Sequence, residues 1–258
     1  MKRESFYQRH EGLILGGGGV LCVLAVWQYA WQQQWVTPLF FAGPAEIAKQ
    51  FWHLMTEGSL PADILFSGQN FVVGLSAATL AGVVFGVLIG WYRKIRLIFD
   101  PLLNALYATP RIAMVPLIIL WVGTDWKSKA FIVFMSSFFP ILVNTVAGIR
   151  SLDPDLLRAA RAFCASDWQI FKTVAIPGSV PFILTGIRQG VALGLIGVVV
   201  GEMFGGSQGV GFLVAYGGQT FQVDTAFVGV IIIAIAGMLL TFLTDRLERR
   251  FSRWRPER

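Results

Sequence analysis

Apolar runs of close to twenty residues recur along this chain, and that is the length an α-helix needs to cross a hydrocarbon core about 30 Å thick. Inside lipid every backbone N–H and C=O must find a partner within the protein, so such runs fold as helices packed on helices. Composition agrees. Of 258 residues, 55% are hydrophobic and only 14% charged, where a soluble domain carries about a quarter charged; mean hydropathy is +0.64. The expected fold class is an all-α polytopic membrane protein with about six transmembrane helices, forming a single transmembrane domain over 1–258. No internal repeat points to the inverted halves of many secondary transporters. Cys22 and Cys164 lie in an apolar run and in a polar island, with no metal-ligand spacing and no expected disulfide.

The expected spans are 13–31, 67–92, 101–123, 130–149, 182–204 and 225–243. Lys2, Arg3 and Arg9 precede the first, which resembles a signal peptide, but Gln28 and Ala30 do not form a small-x-small cleavage site, so an uncleaved span is expected. Gly16 to Gly19 lack the Lys-Ser/Thr of a phosphate loop and read as close-packing glycines. Trp27, Tyr29, Trp31 and Trp35 form an aromatic belt at the far end. Pro44 opens an outer interfacial helix that carries Glu46 in its first turn and ends at Gly58; His53 lies on its polar face. Gly82, Gly86 and Gly90 form a close-approach face in the second span. Gly186, Gly190 and Gly194, with Gly197 and Gly201, suit either a dimer seam or a pore lining in the fifth. Basic residues concentrate in the segments at 2–9, 93–96, 150–172 and 246–258, whereas Lys49, Lys127 and Lys129 stand alone on the other side. By the positive-inside rule both termini and the 150–172 segment are cytoplasmic. This sorting accounts for the net charge of +6 without a nucleic-acid partner.

The longest polar island runs over 150–181 (RSLDPDLLRAARAFCASDWQIFKTVAIPGSVP). Asp153 followed by Pro154 is a capped helix start, with Leu156, Leu157, Ala160 and Phe163 on one stripe and Arg158 and Arg161 on another face. Ser166 and Gln169 make a capping box for a second short helix carrying Trp168, Ile170 and Phe171. Pro177 and Pro181 are expected to stop it. A short amphipathic helix pair held between two spans suits docking into a groove on a partner.

These residues resemble the EAA motif of ABC importer permease subunits: Glu-Ala-Ala, three residues, Gly, nine residues, then apolar-x-Leu-Pro. Arg158-Ala159-Ala160, Cys164, Val174, Ile176 and Pro177 stand at those positions. Arg158 replaces the Glu, which removes the carboxylate of the family's salt link. Cys164 replaces the Gly and asks for a backbone without positive φ. The segment 110–123 (PRIAMVPLIILWVG), Gly186-Ile187-Arg188, Gly201-Glu202 and Gly209-Val210-Gly211 are similar to the nitrate/sulfonate/taurine/bicarbonate branch of these permeases. The resemblance implies a type I ABC importer permease fold in a bacterial inner membrane, a second permease subunit (a homodimer), two cytoplasmic ATPase subunits and an outer solute-binding protein. It also implies ATPase coupling through Asp153, Leu156, Leu157, Arg158, Ala159, Ala160, Arg161, Phe163, Cys164, Ser166 and Phe171.

Charged residues inside spans are costly and mark pathways or pairs. Arg111, beside Pro110 and Pro116, is read either as an arginine near a path for an anionic substrate or as a partner of a backbone carbonyl or acid. Pro116, Arg188 and Glu202 join Arg111 as candidates for the translocation pathway or gate; Arg188 is the alternative to Arg111 for meeting the anion, and Arg188 and Glu202 are also read as members of inter-helix pairs. The chain has no Gly-x4-Gly-Lys-Ser/Thr segment, so it binds no ATP by that loop and is not itself the enzyme; no cofactor is expected. The expected function is the translocation subunit of an ATP-driven importer of a small anion of sulfonate, nitrate, bicarbonate or aromatic acid type, with neutral heterocycles also within related permeases. An ATP-independent secondary transporter or channel is the competing reading. A membrane-embedded enzyme would need a cluster of catalytic side chains at one depth, and His10 and His53 fall in different compartments.

Overall fold

The computed structural model describes residues 6–251, and their side chains except at 6–14, Asn104, Tyr107, Ala108 and Phe251. The basic residues expected at Lys2, Arg3, Arg253, Arg255 and Arg258 lie outside it. Among the described residues all regular structure is helical. Helix α1 spans Phe6–Gln32, α2 Pro44–Thr56, α3 Leu60–Trp91, α4 Arg93–Ala108, α5 Val115–Val122 and α6 Trp126–Arg150. They are followed by α7 Pro154–Ala162, α8 Asp167–Ile170, α9 Ile176–Gly205, α10 Val210–Gln219 and α11 Val223–Phe251. Among the described residues four stretches are long and apolar enough to cross a membrane: Leu60–Trp91, Trp126–Arg150, Asp167–Gly205 and Val223–Arg250. At about 1.5 Å per residue, the 25 residues of α6 already exceed the core thickness.

The chain divides into two compact units, Met1–Pro61 with Leu213–Ile231, and Ala62–Phe212 with Ile232–Arg258. In the first, Pro44 occupies the opening turn of α2 as expected, with Glu46 beside it. His53 Nδ1 lies 3.2 Å from Glu57 on the exposed side of that helix. The Trp27 indole donates to Ala42 O (3.1 Å) and packs tilted against Phe41 and Phe227 at 5.7 and 5.6 Å between ring centroids. Gln50 Nε2 donates to Thr225 Oγ1 at 2.9 Å. Among the described residues, nothing lies within 4 Å of a Cβ added at Gly16 to Gly19.

The second unit is built around α6. Gly82, Gly86 and Gly90 of α3 seat on Ile141, Thr145 and Ile149; a Cβ at Gly86 would stand 2.6 Å from the Thr145 Cβ. From the other side Gly186, Gly190, Gly194, Gly197 and Gly201 of α9 meet Ile141, Ser137, Ser136 and Ile132 of the same helix. Within the chain the α9 glycines face α6, and Gly197 also lines the cavity beside Arg111. They let α9 approach α6 within one chain, the dispersion contacts that hold helices together in lipid. Val133 and Ile141 of α6 are fully buried as a result.

The expected third span, 101–123, is not one helix. Pro110 forces Thr109 out of the helical region (ψ 128°), ending α4. A 3₁₀ turn, Arg111–Met114, then leads into α5. Pro116 lies in the first turn of α5, where its missing N–H costs nothing. The two pieces climb along α6, Ile95 and Leu103 packing on Leu142 and Val146, and Val115 and Ile118 on Ile132. Nor do Pro177 and Pro181 stop the helix after α8, which runs on into α9. A π turn, Phe171–Ala175, widens the ladder so that Ile176 N donates to Phe171 O. Thr173 Oγ1 bonds Gln169 O at 2.6 Å. The extra residue absorbs the proline's lost donor instead of breaking the rod.

Candidate coupling surface and solute path

Helices α7 and α8 stand between α6 and α9 as a capped pair. Asp153 Oδ1 accepts the Asp155 amide at 2.8 Å. Ser166 Oγ accepts Gln169 N (3.3 Å) while Gln169 Oε1 accepts Ser166 N (2.7 Å), the reciprocal capping box. No residue of α7 is buried. Phe163 is 87% exposed, Trp168 68% and Leu156 57%; Arg158, Ala159, Arg161, Cys164 and Ser166 are exposed too, while Leu157 and Ala160 are half-buried. Phe171 faces the other way, 5.2 Å from the Trp91 ring and 5.4 Å from Trp168, and packs on Val87, Ile149 and Ala175. It is the foot of the pair. Arg158 forms its ion pair within its own helix, with Asp155.

Cys164 overturns the expectation made for it. Its φ is +58°. Cys164 N donates to Arg161 O (2.9 Å) and Ala165 N to Ala160 O (3.1 Å), the two bonds of a Schellman motif with Cys164 at the left-handed position. The backbone is the one a glycine favours, and the hydrogen bonds hold it there with a side chain attached.

Arg111 partners a backbone carbonyl, one of the two readings given for it. Pro140 has no N–H for the carbonyl one turn back, so Ser136 O lacks its helical partner, and Arg111 Nη1 donates to it at 3.3 Å. The guanidinium lies over the Phe139 ring, 5.4 Å from its centroid. It also lines a cavity of about 360 Å³ formed with Thr109, Ser136, Leu193, Ile196 and Val200, at the break between α4 and α5. Pro116 is exposed in the first turn of α5, outside the cavity lining. Arg188 is elsewhere, paired with Asp245 (3.0 Å) and Glu248 (3.3 Å) on α11.

Glu202 is fully buried. Its Oε2 accepts Ser67 Oγ (2.8 Å) and Gly211 N (3.0 Å), and Oε1 accepts Asn70 Nδ2 (3.4 Å). Gly209 N donates to Asp63 Oδ1 (2.7 Å) and Val210 N to Ser67 Oγ (2.9 Å). Three successive amides at the start of α10 are thus capped by side chains from α3 and α9, and Gly209 turns with φ +112° to present them. Nearby, Lys129, 1% exposed, donates to Gly205 O (2.6 Å) and Thr124 O. Sequence reasoning passed over Asp63 and Asn70, and counted Lys129 only as an outer-side charge where it is in fact buried. The signal was there: three polar residues at the ends of apolar runs, which lipid would not tolerate unpaired.

The family model for the binding-protein-dependent transport system inner membrane component matches residues 82–255. A Bacillus subtilis (strain 168) protein, provisionally named as an aliphatic sulfonates transport permease, is 33% identical over 90% of this chain and 84% of its own. The riboflavin transport system permease of Chloroflexus aurantiacus is 32% identical over 96% of this chain and 92% of its own. In fold, the chain is similar to the MetNI methionine ABC transporter in inward-facing conformations, with a TM-score of 0.66 at 17% identity over 74% of this chain and 95% of that one. The chain belongs to the binding-protein-dependent transport system inner membrane components, the permeases of ABC importers.

Proposed function

We propose that this chain forms the substrate path of an ATP-driven importer and couples it to separate ATPase subunits through α7 and α8. The observation that carries this is the exposed, doubly capped helix pair whose foot, the buried Ile170 and the half-buried Phe171, stands against the spans, Phe171 on Trp91 of α3. A rigid pair with Phe163 and Trp168 outward offers aromatic anchors to a groove on a partner. Its continuity with α9 through the π turn lets a push on the pair reach the packed helices, a rearrangement of rigid elements rather than a local bend. The working assembly is two copies of this chain, two ATPases and an outer solute-binding protein, in a bacterial inner membrane with both termini cytoplasmic.

The substrate is a small organic anion. Arg111 puts a permanent positive charge at a helix break beside a cavity whose other lining is mostly apolar, with Thr109 and Ser136, and the Bacillus subtilis relative is named for sulfonates. Arg188 is the weaker candidate for that contact because two carboxylates already meet its charge. A neutral heterocycle is the second reading, favoured by the riboflavin relative.

Co-purification with candidate ATPases, for the native chain against Ala160→Glu and Phe163→Asp, tests the coupling. Loss of complex together with loss of ATP-dependent uptake is the expected result. Substrate movement in liposomes without any ATPase overturns it in favour of a secondary transporter. Competition of that uptake by an alkanesulfonate or by riboflavin separates the two substrate readings.

A further inference from the structure

Below the Arg111 cavity a second polar group stands on the same face. Asn144 Nδ2 donates to Gln189 Oε1 at 3.0 Å and to Pro140 O at 2.8 Å. Gln189 is exposed and Asn144 half-buried. The spacing puts them in line with the cavity. On α6, Ser136, Pro140 and Asn144 follow at four-residue steps, and on α9 so do Gln189, Leu193 and, after three, Ile196. Eight residues of α6 separate Ser136 from Asn144, about 12 Å along the helix. Leu193 and Ile196 remain 38% and 50% exposed between them. A carboxamide pair at this depth is out of place against acyl chains, where each unsatisfied polar group costs several kcal/mol. Asn144 spends its donors on Gln189 and Pro140, but the donors of the exposed Gln189 amide point to whatever covers this face.

We propose that this face of α6 and α9 is a water-filled wall of the solute path, and that the Asn144–Gln189 pair is a second solute-contact station on the Arg188 side of the Arg111 cavity. This rests on the importer reading. None of the residues on the strip is acidic, so an anion meets no repulsion along it. A guanidinium holds an anion strongly; a neutral carboxamide offers donors without a full charge. Passage needs binding that is favourable on entry and weak enough to leave, and an amide station about two turns beyond an arginine supplies the weaker step.

Water reaching Gln189 is the testable consequence. In a background with Cys22→Ala and Cys164→Gly, the variants Gln189→Cys and Ile196→Cys are placed in vesicles and treated with a charged, water-soluble methanethiosulfonate. Leu80→Cys and Met238→Cys, 71% and 66% exposed at the native residues, serve as lipid-facing controls. The reagent reacts with the thiolate, which forms only where water reaches, so both path variants are expected to label at least about tenfold faster than the controls. Labelling of Gln189→Cys and Ile196→Cys as slow as the controls overturns the proposal, whether lipid or a second copy covers the face. Labelling requires neither ATPase nor binding protein. A wet Gln189 without ATP-dependent uptake therefore sinks the importer reading alone, and a dry Gln189 with intact uptake sinks the path alone.

Discussion

The Ser67 hydroxyl on α3 donates to Glu202 Oε2 on α9 at 2.8 Å, and the same hydroxyl accepts the Val210 amide at 2.9 Å. One side chain thus joins three helices, and Glu202 adds Gly211 and Asn70 to the same cluster. Replacing Glu202 with Leu leaves the buried donors of Asn70 and Gly211 unsatisfied, at a cost of about 1–3 kcal/mol each, and removes the acceptor of the half-buried Ser67 hydroxyl. Glu202→Gln keeps an oxygen for Ser67 and Gly211, and its new amide can donate to Asn70 Oδ1, which is buried without a partner, if Asn70 turns over. The thermal midpoint in detergent is expected to fall steeply for Glu202→Leu and little for Glu202→Gln. Equal falls would mean that the carboxylate charge, not the hydrogen-bond geometry, holds the start of α10.

Cys164 carries a side chain where the Schellman turn at the end of α7 favours none. The left-handed region costs a residue with a Cβ roughly 1–2 kcal/mol, offset in part by the extra freedom a glycine brings to the unfolded chain. Cys164→Gly is expected to slow amide exchange at 164 and 165, whose N–H groups make the two capping bonds. Cys164→Val, β-branched, is expected to speed it. Faster exchange in the glycine variant would show that side-chain contacts of Cys164, rather than backbone strain, decide the stability of the turn.

Gly86 and Gly68 lie on one helix and separate packing from propensity. A Cβ at Gly86 would crowd Thr145 at 2.6 Å, whereas at Gly68 it would meet nothing within 4 Å. Gly86→Val forces α3 off α6 and is expected to cost at least the 1–3 kcal/mol typical of overpacking, read as a lower thermal midpoint or loss of folded protein. Gly68→Ala is expected to be neutral or slightly stabilising, since glycine is the poorer helix former by about 1 kcal/mol. If both variants melt alike, the α3–α6 seam is not set by these glycines.

What was legible in the sequence follows from how far each feature reaches along the chain. The start of α2 at Pro44, the Asp153 cap and the Ser166–Gln169 box depend on residues within one turn, and each stands where expected. The glycine stripes announced close approach but not to what, because spacing on one helix says nothing about its neighbour; both proved to face α6. The prolines misled in two ways. Pro110 broke a span that hydropathy joined, and Pro177, expected to end a helix, was absorbed by a π turn that no local pattern declares. The capping of α10 by Asp63 and Glu202 spans more than 130 residues for its α3 contacts and was visible only as isolated polar residues. The left-handed Cys164 was hidden by its own identity, since the residue type argues against the backbone it adopts.

Arg111 and Arg188 distinguish a structural charge from a working one. Arg188 is about half exposed and bonded to Asp245 and Glu248; pairs this exposed contribute about 0–1 kcal/mol after solvent screening. Arg188→Gln is expected to leave folding near the native level and uptake within a few-fold, and exchanging the charges in Arg188→Glu with Glu248→Arg to recover what is lost. Arg111 stands beside the cavity and takes the carbonyl that Pro140 leaves without a donor. Arg111→Gln brings no charge, and its amide ends two bonds short of the nitrogen that reaches Ser136 O, so the thermal midpoint is expected to fall by no more than one hydrogen bond, about 1 kcal/mol, while anion uptake falls at least about tenfold, the loss of a charge-assisted contact of roughly 1.5–3 kcal/mol. Arg111→Lys should recover part of it, as a point charge without the guanidinium's planar fork. Full uptake by Arg111→Gln would remove Arg111 from the path and leave it as the strut that repairs α6 at Pro140.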